Sequence, residues 1–493
     1  MKDFFNKNQE NAFYSSPVLL QALILFFLST GIYIHTIGFD YTLNDHLVIT
    51  DNAFTKQGVE GVFDIFTNNA MDGYTGSDKV DIPETHYRPL AMAMFAVEYE
   101  FWGDNPVAGH LINILLFALT AVMLFYLLRH VFKFYYQKPW YLTLPLVAVA
   151  LYVVHPLHTG VVANIKGREQ ILLMLGMAIT LYGVIRFTDT KKTAFLLLSA
   201  VTFLLSLFAH ENAITLLFIA PLMVWVFRDE PARRILIMIM PLMLVFIIYM
   251  LVRESALGVW LHNPSARNIL QNPYINASTG EKIATIFFTL IIYLKLLVFP
   301  QPLTHDYHPL HVEIMDFNNP WVIVSMIIWS AALIFSLIRI WKKDVIAFAI
   351  LFFVITIIGY SNIIFNSGTF MSERFMFVPS LAAVIIAAYL FNQTLRRLFR
   401  YRLFYKRFTM YLIIALLIAA SARTIDRNMD WKNDLTLHTN DVNISNKSIK
   451  ANLSASKVLR EEALKSESHQ RRDSLLQKSR YYHNKAIQLK SGK

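Results

Sequence analysis

The sequence contains no cysteine in its 493 residues. It therefore has no disulfide framework, no thiolate metal site and no cysteine nucleophile. Charge is also scarce, because only 16% of the residues are charged, whereas soluble domains carry about a quarter. Hydrophobic residues make up 55% of the chain, and its mean hydropathy is +0.43. These proportions exclude an ordinary soluble domain and predict an all-α polytopic membrane protein.

Apolar runs long enough to cross a bilayer recur through residues 1–422, with short polar breaks between them. No small-residue cleavage pattern follows the first run, so we interpret it as a retained span and not as a removed signal. A further run at 283–299 is ambiguous. The eleven predicted spans lie near 18–37, 107–128, 140–156, 170–187, 194–209, 212–227, 233–252, 321–340, 345–363, 376–392 and 408–422.

Lysine and arginine exceed the acids by a formal net charge of +11, and many of them cluster in five loops between spans. Under the positive-inside rule these loops face the cytoplasm. The first loop at 38–106, the tail at 423–493 and the Lys/Arg-free segment 303–316 then face the other side. Because both flanks of 283–299 fall on that side, we predict an interfacial or half-inserted helix there. A twelfth full span is the alternative.

Polar side chains gather at the outer ends of the predicted spans, where a lipid head group and a water-soluble substrate can meet. Asp45 lies a few residues beyond the first span, and charges at a membrane edge are costly and usually kept for function. Cations at this depth suit a phosphate, and a carboxylate beside them suits a general base. The other members of the set are Arg88, His155, His158, Lys166, Arg168, Glu169, His210, Glu211, Asp306, Tyr307, Glu373 and Arg374.

Several of these positions also have a purely structural interpretation. Lys166 and Arg168 are long enough to snorkel to the interface. Glu373 and Arg374 are adjacent and could form a charge pair that only closes a loop. Glu211 is harder to explain in this way, because it lies between two apolar runs with hardly any loop.

Six segments, taken in order over residues 18–435, resemble the transmembrane and tetratricopeptide-repeat O-mannosyltransferase family of the GT-C glycosyltransferases. Each segment is short, but the six in family order are specific together. They are FDYTLNDHLVITDN (39–52), YRPLAMAMFAVEYEFWGDNPVAGHLINILLFAL (87–119), HPLHTGVVANIKGREQILL (155–173), HENAITLLFIAP (210–221), LTHDYH (303–308) and SERFMFVPS (372–380).

The resemblance implies a GT-C-type bundle of eleven or twelve transmembrane helices with a large first extracytoplasmic loop. It also implies an inverting transferase that moves a hexose such as mannose from a polyprenyl-phosphate donor to Ser or Thr hydroxyls of an exported protein. Asp45 would be the catalytic base. Arg88, Lys166, Arg168 and Arg374 would bind the donor phosphate. Orienting or supporting roles would go to His155, His158, Glu211, Asp306, Tyr307 and Glu373.

The same resemblance implies no resident cofactor, because the donor carries no diphosphate that would require a bound metal. A divalent metal stays open as an alternative, since His305, His308 and His311 recur every three residues. This spacing on a proline-interrupted loop is a weak metal-site signal. The implied location is the inner membrane, if the source is bacterial, with the active site and the C-terminus on the periplasmic or lumen-equivalent side.

The chain departs from the family pattern in its motifs and in its tail. The motifs differ at Asn44-Asp45, where the family tends to show two acids, at His210-Glu211, where it shows Lys-Glu, and after Asp306-Tyr307, where it shows Ser.

In the tail, segments 448–459 and 480–489 resemble the two helices of one degenerate tetratricopeptide repeat, and an ordinary amphipathic helical tail is the alternative. The shortage of repeats leaves open a GT-C transferase that acts on a lipid or glycan acceptor. A transporter is the remaining alternative, although the sequence lacks the internal repeat and mid-membrane charges expected of one.

Overall fold

A computed structural model describes residues 17–75, 87–133, 139–258, 260, 272–307, 311–364, 367–398 and 402–491. These residues form helices and loops without any β-strand, and one isolated bridge joins Asn52 to Tyr74. The all-α class predicted from the sequence is confirmed. Helices of ten residues or more are numbered in chain order: α1 Val18–Tyr33, α2 Pro89–Trp102, α3 Pro106–Val131, α4 Leu144–Val153, α5 Arg168–Thr190, α6 Thr193–Ala209, α7 Leu216–Arg228, α8 Ala232–Leu257, α9 Thr279–Val298, α10 Pro320–Arg339, α11 Val345–Ile357, α12 Ser380–Leu398, α13 Arg402–Asp430, α14 Asp434–Ile444, α15 Ile449–Lys465 and α16 His469–Ser491.

Within the described ranges, seven helical stretches are long and apolar enough to cross a membrane. An eighth results if α4 and Pro156–Val162 are taken as one span bent by 55°. The apolar helices α6, α11 and α12 are shorter. The polytopic membrane class is confirmed, and the total of eleven spans stays a prediction. The seven stretches are Val18–Gly38, Pro106–Val131, Ile165–Thr190, Glu211–Arg228, Ala232–Leu257, Pro320–Lys342 and Arg407–Asp430.

Helices α5 and α6 pack antiparallel along a seam of small residues. A Cβ atom added at Gly176 would lie 2.1 Å from Ser206 Oγ, and one added at Gly183 would lie 2.3 Å from Ser199 Oγ. Small residues allow helix backbones to approach this closely inside a membrane. The seam therefore holds the first turn of α5 beside the C-terminal end of α6 and residues 210–211.

Helix α9 covers the ambiguous run, and its two flanks contact the same outer loop. The ring of Tyr274, before the helix, has its centroid 4.9 Å from that of Phe370. After the helix, the backbone N–H of Thr304 donates to Glu373 Oε1 at 2.6 Å. Contacts of both flanks with residues 370–373 support an interfacial or half-inserted helix rather than a crossing one.

The first outer loop folds onto α2. Val48, Ile49 and Ile65 of the loop are buried together with Phe95 of α2 and with Ile165, which precedes α5. This small apolar cluster fixes the turn that carries Asp45 against the start of α5.

The tail begins without a structural break, because α13 runs through residue 422. The domain boundary predicted at 422 stays a prediction. Beyond α14, helices α15 and α16 form an antiparallel pair, and the hydroxyls of Ser456 and Ser479 lie 3.1 Å apart between them. This pair contains the segments 448–459 and 480–489 that resemble one repeat.

Single cysteines can report the orientation of the chain, because the native sequence has none. Asn318→Cys and Ser468→Cys, at exposed positions on the predicted outer side, should react with an impermeant maleimide in sealed right-side-out vesicles. Thr193→Cys, exposed in a predicted cytoplasmic loop, should react only after permeabilisation. If position 318 reacts only after permeabilisation while position 468 reacts from outside, α9 crosses the membrane and its predicted placement is wrong.

Candidate active site

Arg88 joins two carboxylates at the end of the bundle that the basic loops predict to face outward. Its Nη1 donates to Glu169 Oε2 at 2.6 Å, while its Nε and Nη2 donate to Glu211 at 3.0 and 2.8 Å. Arg88 immediately precedes α2, Glu169 lies in the first turn of α5, and Glu211 follows α6. The forked guanidinium therefore ties together three elements that are distant in sequence.

Lys166 is the second cation of this group. Its Nζ donates to the other oxygen of Glu169 at 2.5 Å, and its side chain is only 13% exposed. Glu211, by contrast, keeps 53% of its side chain exposed. The group consequently opens to solvent on the side of Glu211.

Arg374 adds a cation with no acidic partner. Its side chain is exposed, and desolvation by the surrounding protein and the positive charge of nearby Arg88 lower its pKa. In the described part of the chain, no carboxylate lies within ion-pair distance of Arg374. We call the set Arg88, Lys166, Glu169, Glu211 and Arg374 the charged basin. Its three cations outnumber its two carboxylates, which suits a phosphate-bearing anion.

Tyr360 connects the basin to neighbouring polar groups. Its hydroxyl accepts from Gln170 Nε2 at 2.9 Å and lies 3.3 Å from His210 Nε2. Its ring stacks on Phe375, with centroids 4.5 Å apart and an interplanar angle of 10°. Because Phe375 follows Arg374 in the chain, the stack helps to fix the backbone that carries the unpaired arginine.

Asp45, the predicted base, is fully buried. Its Oδ2 accepts from the backbone N–H of Thr42 at 2.9 Å and its Oδ1 accepts from that of Lys166 at 2.7 Å. Burial raises the pKa of Asp45 to about 6, although both backbone hydrogen bonds act to lower it. A carboxyl group with this pKa suits proton transfer near neutral pH. Its bond to Lys166 sets it directly beside the basin.

Arg168 is fully buried and points away from the basin. Its Nε donates to Asn113 Oδ1 at 2.8 Å, its Nη2 donates to the Gly109 carbonyl at 3.1 Å, and both Nη atoms donate to Glu98. These contacts occupy the guanidinium fork. They indicate a structural role for Arg168, and the phosphate contact predicted for it stays a prediction.

His155 and His158 lie within the helix packing rather than in the basin. His158 is buried, with its Nε2 2.9 Å from Ser380 Oγ and its ring centroid 4.3 Å from that of Tyr152. His155 Nε2 lies 3.1 Å from the Leu297 carbonyl oxygen. The two histidines therefore connect the end of α4 to α9 and α12, and their supporting role in the reaction stays a prediction.

Glu373 and Arg374 do not form the loop-closing pair that their adjacency allowed. Glu373 is buried, and its Oε1 accepts from Thr304 N at 2.6 Å and from Tyr307 Oη at 3.0 Å. Asp306, between these two donors in sequence, is buried as well. The carboxylate thus faces the 303–307 loop while the arginine faces the basin.

The histidines with metal-like spacing do not converge where they are described. His308 lies outside the described residues. His305 Nδ1 lies 2.7 Å from Asp441 Oδ2, and the ring of His311 is 5.6 Å from that of Tyr307. The described residues contain no group of three or more ligand-type side chains able to hold a metal, and the question of a divalent metal stays open.

Several buried groups near the site were missed by sequence reasoning. Arg427 pairs with Asp441 at 2.8 and 3.2 Å, and Asp434 accepts from Leu43 N at 2.8 Å. Glu98 was missed as well, because one acid on an amphipathic helix is usually solvated. The available signal was the spacing of Asp434 and Asp441, seven residues apart on one helix face.

Glu373 makes the stability of the fold depend on pH. Burial raises its pKa to about 7, against the lowering effect of Arg427, so the folded state prefers the protonated acid. The contribution of Glu373 to the stability of the fold is therefore present at acidic pH and is lost as the pH rises through about 7. Glu373→Gln mimics the neutral acid. We expect it to unfold at a temperature roughly 2–4 °C above that of the wild type at pH 8 and at an unchanged temperature at pH 5.

The control for this measurement is Glu467→Gln, which changes an exposed acid of the tail and should leave the unfolding temperature unaltered at both pH values. Parallel pH dependence of unfolding in the wild type and in Glu373→Gln would contradict the assignment.

No family model matches the chain. The chain is 24% identical to protein O-mannosyl-transferase F38B6.6 of Caenorhabditis elegans over 454 residues, which cover 90% of the chain and 60% of the relative. It is 22% identical to protein O-mannosyl-transferase TMTC4 of Homo sapiens over 71% of the chain and 52% of the relative. Protein O-mannosyl-transferase TMTC3 of Mus musculus is 21% identical over 74% of the chain and 41% of the relative.

The chain thus spans between 41% and 60% of the length of these relatives. Their names agree with the family to which the six sequence segments pointed. The resemblance is confirmed: curated homologues of this chain are protein O-mannosyl-transferases of the TMTC family.

Proposed function

We propose that this chain is a membrane glycosyltransferase that moves mannose, or another hexose, from a polyprenyl-phosphate donor to Ser or Thr hydroxyls of an exported protein. The observation that carries the proposal is the charged basin, where exposed Arg374 has no acidic partner in the described part of the chain. The names of the relatives, protein O-mannosyl-transferases, support the sugar and the class of acceptor.

The basin supplies what an anionic leaving group requires, which is fixed positive charge beside the breaking bond. Arg374 offers a free forked donor set, and Arg88 and Lys166 add two cations whose positions are fixed by Glu169 and Glu211. The polyprenyl chain would lie along the apolar surface of the bundle. Helix α8, whose span is only 17% buried within the protein, provides such a surface.

In the proposed step, the acceptor hydroxyl oxygen attacks the anomeric carbon while the bond from that carbon to the phosphate oxygen breaks. The hydroxyl proton passes to Asp45, and the polyprenyl phosphate leaves as an anion beside Arg374. A single displacement of this kind inverts the configuration at the anomeric carbon. Lys166 links the two parts of the site, because its backbone N–H donates to Asp45 and its Nζ donates to Glu169.

Two carboxylates compete for the role of base, and their environments differ. Asp45 has a pKa of about 6 but no exposed surface, so the turn at 42–46 must move when the acceptor binds. Glu211 is accessible, but both its oxygens already accept from Arg88. That bidentate contact suits a group that orients the arginine more than one that takes a proton.

The proposal sets the basin on the extracytoplasmic face, in agreement with the orientation predicted from the five basic loops. Segments 40–46 and 87–88 belong to the first loop, and segments 164–169 and 373–374 come from two further loops that the sequence assigns to this face. In a bacterium it would be the periplasmic side of the inner membrane.

Asp45→Asn tests the base. The amide keeps the shape of the carboxyl group but cannot take a proton, so transfer of mannose to an acceptor peptide should fall by roughly 10²–10⁴-fold. Wild-type transfer should also decline as the pH falls below the Asp45 pKa of about 6, because the protonated acid is inactive as a base. The residual activity of Asp45→Asn should lack this decline.

Asp40→Asn, five residues earlier in the same loop, is the matched control and should transfer at the wild-type rate. If Asp45→Asn transfers sugar at nearly the wild-type rate and Glu211→Gln is inactive, Glu211 is the base and the assignment to Asp45 is wrong.

Arg374→Ala tests the phosphate site through binding alone. Loss of a hydrogen bond to a charged group costs about 1.5–3 kcal/mol, so the Kd for a polyprenyl-phosphate sugar should rise about 10- to 150-fold. Arg374→Lys should restore part of the affinity, since it keeps the charge without the fork. Arg471→Ala, which removes an exposed arginine of the tail, is the control. Unchanged affinity in Arg374→Ala would exclude Arg374 from the donor site.

A further inference from the structure

Helix α14 presents Asp434, His438 and Asp441 on one face, because positions i, i+4 and i+7 align along a helix. Asp434 contacts the loop that contains Leu43, and His438 and Asp441 contact His305. His438 is buried between the two acids, with its ring 5.0 Å from that of His305 and its Nε2 4.0 Å from Asp434. This face is therefore turned toward the membrane domain.

Asp434 holds the turn that carries Asp45. Its Oδ1 accepts from the backbone N–H of Leu43 at 2.8 Å, and its Oδ2 lies 3.3 Å from His46 Nε2. Leu43 has a φ of 52°, in the left-handed region that a leucine rarely adopts. The hydrogen bond that Leu43 donates to Asp434 thus fixes an unfavourable backbone conformation two residues before the proposed base.

Trp431, just before α14, packs against Leu43 of the same turn. It is buried in a cluster with Leu43, Ala163 and Leu437. A Cβ atom at Gly160 would lie 2.9 Å from the Trp431 ring, so the close fit requires glycine there. The turn at 40–46 is consequently held between the tail and the segment at 160–166.

Asp441, two turns further along α14, holds a different loop. It is fully buried, pairs with Arg427, and accepts from the backbone N–H of His305 at 2.7 Å. Immediately after α14, Ser445 Oγ donates to the Asp306 carbonyl at 2.8 Å. The 303–307 loop fixed in this way is the one that binds Glu373, the neighbour of Arg374.

We propose that α14 is a positioning element of the active site. Asp434 fixes the turn that carries the base, and Asp441 fixes the loop behind the phosphate-binding arginine. A helix keeps residues 434 and 441 about 10 Å apart, so it sets the spacing between the two halves of the site. The inference rests on the proposed function. It makes α14, a helix of the predicted tail, part of the unit that carries out the reaction.

The test combines two variants with two measurements. Asp434→Ala removes the acceptor of the Leu43 N–H, and we expect kcat to fall about 10²-fold, the effect of misplacing a reacting group by about 1 Å, while donor Kd stays unchanged. Asp441→Asn keeps the size of the side chain but weakens its bonds to Arg427 and His305. It should raise donor Kd about tenfold with a smaller change in kcat.

A thiol reporter follows the turn without any need for activity. Thr42 is fully buried, so a cysteine at this position in the cysteine-free chain should react slowly with maleimide. Adding Asp434→Ala should speed its labelling about tenfold, as expected for the loss of one hydrogen bond to a charged group. Adding Asp441→Asn should leave the labelling rate unchanged. Asn443→Ala, on the exposed side of the same helix, is the control for all three measurements.

Equal effects of Asp434→Ala and Asp441→Asn on kcat, Kd and labelling would show that α14 contributes only general stability. Unchanged labelling and kcat in Asp434→Ala would overturn the role of Asp434 directly. If the wild type transfers no sugar, the proposed function fails, whereas the labelling experiment still decides whether α14 fixes the turn.

Discussion

Charged side chains buried at the edge of a membrane must be paired, and this constraint organises the outer end of the bundle. The first two residues of α5 show it most directly. Arg168 turns toward Glu98 of α2, while Glu169 turns toward Arg88 and Lys166. One helix start thereby fixes the loop before α2, the loop before α5 and the packing of α2 on the bundle. Removing one partner would leave an uncompensated charge in a place with little water.

Arg374 differs from these paired charges. Arg88 and Lys166 are satisfied by carboxylates, so they contribute positive potential without being free to move. Arg374 is exposed in the same basin and, in the described part of the chain, has no acidic partner. Because Glu169 and Glu211 balance Arg88 and Lys166, the excess positive charge of the basin lies at Arg374, whose fork can hold a phosphate.

The environment that makes Asp45 a suitable base also keeps the acceptor away from it. Burial raises its pKa to about 6, and the same burial leaves its carboxyl group without exposed surface. The proposed role of Asp45 as the base therefore requires the turn to move when the acceptor binds. The left-handed Leu43 and its bond to Asp434 give this turn a strained conformation that depends on an external contact. A strained turn that depends on such contacts can couple access of the acceptor to proton transfer.

The sequence by itself determined the class of protein, the positions of the apolar helices and the family resemblance. These properties depend on hydropathy, charge bias and short motifs, all of which are local. It also identified Arg88, Glu211 and Arg374 as residues at the outer ends of spans, because a charge between apolar runs is visible without a structure. The prediction of an interfacial or half-inserted helix at 283–299 came from charge bias as well, and it stays a prediction.

Only the tertiary structure decided which of these charges meet. Arg88 and Glu211 are 123 residues apart in the chain, and no local pattern joins them. Residues only two positions apart behave differently for the same reason: Arg168 pairs with Glu98, whereas the side chain of Lys166 pairs with Glu169 in the basin. The contribution of α14 was invisible because a polar, helix-forming tail has the same composition whether it is free or docked. Pairing, burial and pKa depend on three-dimensional neighbours, and these are set by packing between distant segments.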